Sequence, residues 1–448
     1  MIGPLGRKTR GNDKVLVIGL DGVPYRIIKN FIKMDIMPHL GKLSEEGTMG
    51  EMLSTIPPVS SVAWTTFFTG VNPGKHGIYG FVERKPDSYE IYFPNATHIK
   101  SPTLWDILLP YKKRTVAINI PHTYPARPLN GVLISGFVAL DLEKSVYPPS
   151  LYQKLKEMGY RIDVNYQEAA EKKEEFFKDL FYTLDKRREA ILHFIKKEKW
   201  DLFIAAFTGT DRLHHYFWHE LTDTHGAFHQ KCLEYYRRLD KTIKKIVSSI
   251  GKEVNLIIMA DHGFTLLNKE LYPNTWLKER GYLKLKKEPP ESLADIDPSS
   301  KAFVLDPGRV FINLKGKMPQ GCVEAGSAYE DLLQELTRGL REVKGIDKVF
   351  RKEELYSGGC LEHAPDLVLL SETRYDIKGS LNKNQLLGKD KFSGMHTHHD
   401  ALLYIRGLSS NRERIYLIDI APTILDFLGL PVSSHMDGVS LLKNIKRE

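Results

Sequence analysis

Residues 14–22 read Lys14-Val15-Leu16-Val17-Ile18-Gly19-Leu20-Asp21-Gly22. A short unbroken apolar run, bounded by a charge and a turn, is the pattern of a strand buried on both faces, as in a parallel sheet. Asp21 then stands at the carboxyl end of that strand, where open α/β sheets bind their ligands. The pattern recurs at Thr115–Ile120, Gly131–Gly136, Leu202–Phe207, Val254–Ala260, Asp366–Leu370 and Ala401–Ile405. Helical patterns separate these runs, among them His229–Ile250 and Ile418–Leu428. Strands alternating with helices predict an α/β fold, a doubly wound and mainly parallel sheet with helices on both faces.

The 448 residues exceed the roughly 250–300 that one core usually serves, so insertions are expected. Two segments break the alternation. Residues 140–199 are charged and helical and read as an inserted helical cap. Residues 266–364 mix short strands with a helix and read as a smaller α+β insertion. The core is then 1–139, 200–265 and 365–448. No apolar run approaches the roughly 20 residues of a membrane span. The first 14 residues contain no apolar leader segment, and three cysteines (Cys232, Cys322, Cys360) lack CxxC spacing. A cytoplasmic location is expected. The formal charge of +8 is not gathered into a basic block with interleaved aromatics, so nucleic acid is not the expected primary partner. The sequence leaves the oligomeric state open.

A second stretch, Pro57-Pro58-Val59-Ser60-Ser61-Val62-Ala63-Trp64 and on to Gly70, carries a different message. Two prolines hold the chain out of helical geometry, and Ser60 or Ser61 falls at the N-cap of an apolar helix. The bland reading is a capped core helix. The sharper one is a hydroxyl facing free N–H groups and the positive end of a dipole, a place for an anion such as phosphate.

Other strand ends carry ligand-type residues: Asp211 after Leu202–Phe207, and Asp261-His262 after Val254–Ala260. Asp211 and His215 are four apart, on one helical face. Gly394-Met395-His396-Thr397-His398-His399-Asp400 adds a histidine-rich loop before another strand. Singly, an aspartate after a strand reads as a helix cap and a lone histidine as a satisfied polar residue. Gathered at one sheet edge, the carboxylates would repel, and divalent cations with mixed His/Asp ligands remove that cost.

As a set, VIGLDG (17–22), PPVSSVAWTTFFTGVNPGKHGI (57–78), TGTDRLHH (208–215), MADHGF (259–264), APDLVLL (364–370), SGMHTH (393–398) and DIAPTILDFLGLP (419–431) resemble the alkaline phosphatase superfamily, in its type I phosphodiesterase/nucleotide pyrophosphatase branch. The resemblance implies two divalent metal ions, zinc in the first place, with manganese or another transition metal as the alternative. It implies Asp211, His215 and His396 as ligands of one, and Asp21, Asp261 and His262 as ligands of the other. It places the nucleophile on Ser60, touching the second ion, where many members carry threonine; Ser61 is the competitor if the register slips. Asn119 or Asn72 is the expected counterpart of a phosphate-steadying asparagine. His214, His398, His399 and Asp400 match no ligand position, and His76 reads as structural. Val62 and Trp64 stand where a sulfatase needs proline and arginine. The implied activity is hydrolysis of a small phosphodiester or nucleotide pyrophosphate through a phosphoserine intermediate. A phosphomonoesterase, a phosphonate hydrolase or a metal-dependent phosphoglycerate mutase are the alternatives on the same fold, and a metal-binding scaffold without turnover is the alternative of another class.

Overall fold

The computed structural model describes residues 14–166, 169–408 and 413–442; residues 1–13 of the N-terminal stretch read above lie outside them. The opening run forms β1 (Val15–Leu20), buried at all six positions. It sits inside an eight-stranded sheet with β2 (Gly47–Met52), β3 (Thr115–Ile120), β4 (Gly131–Ser135), β5 (Val146–Tyr147), β6 (Leu202–Phe207), β7 (Asn255–Met259) and β8 (Ala401–Arg406). The order is β2-β8-β7-β1-β6-β3-β4-β5. The five strands β7-β1-β6-β3-β4 run parallel. β8 is antiparallel to both β7 and β2, and β5 to β4.

The reversed β8 decides where the site forms. The chain enters β8 from the carboxyl edge of the parallel strands, so the residues just before Ala401 lie on the edge that holds Asp21. β2 pairs Met52 with Ala401 and therefore delivers residues 53–60 to the same edge. The helix that follows, α1 (Ser60–Thr69), is buried at every position and ends on Gly70 in the left-handed conformation. Its N-cap is Val59 rather than either serine. Gly19 lets α1 lie against β1: a Cβ there would sit 2.3 Å from Cη2 of Trp64.

Two expectations about organisation are corrected. The run expected as a main-sheet strand at 366–370 forms Leu367–Ser371 in a separate four-stranded sheet, paired antiparallel with Arg309–Ile312 and Ile346–Arg351. Leu367 and Leu369 face one apolar cluster and Val368 another. Both faces are buried, so the run has the same continuous apolar pattern as a central parallel strand. Packing on the smaller unit thus continues past residue 364: Ile377 is buried in the same cluster as Leu367 and Leu369, and Leu381, Leu386 and Leu387 pack against it. The second correction concerns 140–199. Its long helix α2 (Lys173–Lys197) is not a separate cap: Phe176, Phe177, Leu180, Leu184, Ile191 and Phe194 enter the same apolar cluster as β6. Arg187 Nη1 donates to the carbonyl of Ala206 at 2.8 Å. The charges that suggested a cap belong to the helix's outer face. Among the described residues, no helix is long and apolar enough to cross a membrane.

Candidate metal centre

Two sets of three side chains converge at the carboxyl edge, each with ligand atoms within 4.8 Å of one another: Asp211, His215 and His396, and Asp21, Asp261 and His262. Asp211 and His215 project from the first turns of α3 (Gly209–Thr222), which follows β6 directly. His396 lies not in a loop but in a short strand, Gly394–Thr397, paired antiparallel with Gly263–Leu266. This ribbon brings the rings of His262 and His396 to 4.0 Å between centroids, so the two sets share a border.

Hydrogen bonds fix the tautomers. His396 Nδ1 donates to Pro58 O at 3.1 Å and His262 Nδ1 to Gly263 O at 3.0 Å. Their Nε2 lone pairs are therefore turned inward. His396 Nε2 lies 3.0 Å from His215 Nε2 and 3.2 Å from Asp211 Oδ1. His262 Nε2 lies 3.4 Å from Asp261 Oδ2 and 3.6 Å from Asp21 Oδ1. Asp261 Oδ1 accepts from Gly22 N at 3.0 Å, while its buried Oδ2 has no hydrogen-bond partner. Acceptor atoms facing one another, with one carboxylate oxygen left without a donor, fit cations and fit little else.

Electrostatics lead to the same fit. Burial, then repulsion from Asp261 and Asp211, pushes the Asp21 carboxyl well up. Burial raises Asp261 to about 7. Asp211 goes the other way: burial alone would raise it, but His215, His396 and Arg212 outweigh burial and hold it well below the usual range. Burial drives His215 down to about 3 and His262 also far down. Both imidazoles are thus neutral at pH 7, the form in which histidine ligates.

Ser60 Oγ stands 3.1 Å from His262 Nε2 and 3.3 Å from Asp21 Oδ1, beside the second set. Ser61 Oγ is buried with no hydrogen-bond partner. One turn along α1, Trp64 Nε1 donates to Asp21 Oδ2 at 3.1 Å; its i+4 spacing from Ser60 was the available sequence signal. Phe264 packs against His215 and His396, with ring centroids at 5.0 and 5.2 Å. His214 bridges Gly22 O and the Tyr236 hydroxyl, His398 donates to Thr55 O, and Asp400 accepts from Arg26. His76 accepts from Ile78 N and bonds Thr66 Oγ1, which makes it structural.

Neither asparagine hydrogen-bonds a member of the two ligand sets. Asn119 is buried at the end of β3, with φ +61° and its oxygen on Tyr160 OH. Asn72 caps a helical turn: Oδ1 accepts from Gly74 N and Ser357 N, and Nδ2 donates to Asp437 and Ser357. The assignment of Asn72 to phosphate is therefore corrected, since its amide is already committed. Asn72→Ala is expected to cost about 1 kcal/mol of stability, the usual cost of a lost cap, and to leave kcat/KM unchanged. Thermal unfolding and steady-state turnover of the variant check this.

The profile of the type I phosphodiesterase / nucleotide pyrophosphatase family matches residues 15–399. The chain belongs to that family. Members of the type I phosphodiesterase / nucleotide pyrophosphatase family are metal-dependent, and the chain is a hydrolase of phosphoric esters. Among curated proteins, none matches the chain. Among solved structures, phosphonoacetate hydrolase from Sinorhizobium meliloti 1021, in complex with phosphonoformate, overlays with a TM-score of 0.66 at 15% identity, covering 93% of this chain and 95% of that one. Murine ectonucleotide pyrophosphatase / phosphodiesterase 5, in complex with AMP, overlays with a TM-score of 0.58 at 13% identity, covering 94% and 96%. At these identities the likeness is one of fold.

Proposed function

We propose that this chain is a two-metal phosphodiesterase acting through a phosphoserine on Ser60. The position of Ser60 Oγ, within 3.3 Å of both Asp21 and His262, is the observation that carries the reading. Asp211, His215 and His396 would hold one ion; Asp21, Asp261 and His262 would hold the other. Bound there, zinc or a similar cation would supply Lewis acidity toward phosphoryl oxygens and lower the pKa of a coordinated hydroxyl or water.

Ser60 opens a ten-residue helix, so negative charge gathering near its hydroxyl meets the positive end of a dipole. Ser60 Oγ attacks phosphorus, forming a Ser–O–P bond as the bond to the departing alkoxide breaks. Water then hydrolyses the phosphoseryl ester, restoring Ser60 and releasing the phosphorylated product. Trp64 holds Asp21, and the ring contacts of Phe264 fix two imidazoles, so the geometry is set before substrate arrives.

Cleavage of a phosphonate is a second reading, favoured by the higher of the two overlay scores above. Turnover of a bis-aryl phosphodiester, an aryl phosphate monoester and phosphonoacetate separates the readings, in chelated protein and after addition of zinc or manganese. The diester is expected to be hydrolysed fastest, and only with metal. Preference for the monoester or for phosphonoacetate would replace the substrate class, and no turnover of any would favour a metal-binding scaffold.

A further inference from the structure

Arg212 follows Asp211 on α3, yet no step of the proposed reaction uses it. Its guanidinium is almost wholly buried and lies between two aromatic rings, 4.0 Å from the centre of Phe137 and 4.4 Å from that of Tyr166. Nη1 donates to Asp211 Oδ2 at 3.0 Å. Nε and Nη2 both donate to Asp163 Oδ2, at 3.0 and 2.8 Å. Asp163 is anchored in turn through Oδ1, which accepts from Val164 N and Thr208 Oγ1. One oxygen of Asp211 is thereby tied down, and its other oxygen, Oδ1, is the one that faces His215 and His396.

We infer that Arg212 is a positioning residue, the middle of an Asp163–Arg212–Asp211 clamp that presets Asp211 Oδ1 for the cation shared with His215 and His396. The inference rests on the two-metal reading. A guanidinium beside a metal ligand has two opposed effects. Its charge competes with the cation, and its rigid fork orients the carboxylate. Here Asp163 takes two of the donors and cancels the charge, so orientation dominates. The clamp is specific to one set: Asp261 instead takes its orienting bond from a backbone N–H, and Asp21 from Trp64.

The test is a zinc titration of metal-free protein against a chromophoric chelator, for wild type, Arg212→Met, Arg212→Lys and Asp163→Asn. Wild type is expected to take up two ions. In Arg212→Met one of the two affinities is expected to fall by about 10–100-fold, the usual effect of losing a partner behind a ligand, while the other stays as it was. Arg212→Lys should fall between, since a single ammonium cannot span both carboxylates. Asp163→Asn should weaken the same ion, because an uncompensated guanidinium then competes for Asp211; it also serves if Arg212→Met fails to fold. Unchanged affinities in folded variants, tighter binding in Arg212→Met, or equal weakening of both ions would overturn the clamp and leave the two-metal reading standing. Fewer than two ions in wild type would remove that reading, and the inference with it.

Discussion

Ser60→Ala is expected to lower kcat by at least about 10⁴-fold, the scale on which removing a nucleophile acts, without loss of bound metal. Asp21, Asp261 and His262 supply three donors of their own, and Ser60 Oγ only adjoins them. The neighbouring substitution is the control. Ser61 Oγ is buried and unpartnered, and removing an unpaired buried hydroxyl is close to neutral or mildly stabilising. Ser61→Ala should therefore leave both turnover and unfolding temperature nearly unchanged. Burst-phase release of the aryl alcohol, measured for both variants beside wild type, reads the result. Normal turnover in Ser60→Ala together with a collapse in Ser61→Ala would move the nucleophile by one residue.

The second large effect is on stability. In metal-free protein the Asp21 and Asp261 carboxyls are expected to subtract stability as the pH rises from about 4 to 7, and zinc should remove that contribution. Burial, with repulsion from neighbouring carboxylates, raises Asp21 and Asp261, the latter to about 7, whereas an unfolded aspartate titrates near 4. Across that interval the folded state keeps protons that the unfolded state gives up. The stability they represent is complete below pH about 4 and is lost as pH climbs through 7. Moving one carboxyl from about 4 to about 7 is worth of order 4 kcal/mol, at roughly 1.4 kcal/mol per unit. Asp211, held low by its neighbours, has the opposite sign: its contribution is present above pH about 4 and lost only in acid. The buried imidazoles of His215 and His262, neutral in the fold, add stability over the same interval, so the carboxyl contribution is read from the difference between zinc-bound and metal-free protein. Cations replace the retained protons, so the rise in unfolding temperature on adding zinc should be larger at pH 8 than at pH 5. Calorimetric scans with chelator and with zinc at both values measure it, and a pH-independent shift would contradict the account.

Much of this was readable from residue order because three main strands bury both faces and are followed within four residues by Asp21, Asp211 and Asp261. A continuous apolar run followed by aspartate carries its own position in a parallel sheet. What misled the reading has an equally physical cause. Leu367–Ser371 lies between two apolar clusters, so its composition matches a central strand although it belongs to the small sheet. In α2 the charged outer face dominates the letter sequence, while the buried phenylalanines that dock it on β6 are spaced along it. The reversed direction of β8 has no signature in composition at all, yet it is what carries His396 to the edge. Arg212 was invisible for a similar reason: its partners Asp163, Phe137 and Tyr166 are distant in sequence, and only folding places them around one guanidinium.

The account's central claim is that six side chains from four parts of the chain hold two cations beside Ser60. The most direct measurement is an anomalous difference map, recorded at the zinc absorption edge from crystals of the zinc-loaded protein. Two peaks are expected, one among Asp211, His215 and His396 and one among Asp21, Asp261 and His262, the latter next to Ser60 Oγ. A map with no peak among these six residues, or with its peaks elsewhere on the molecule, would contradict it.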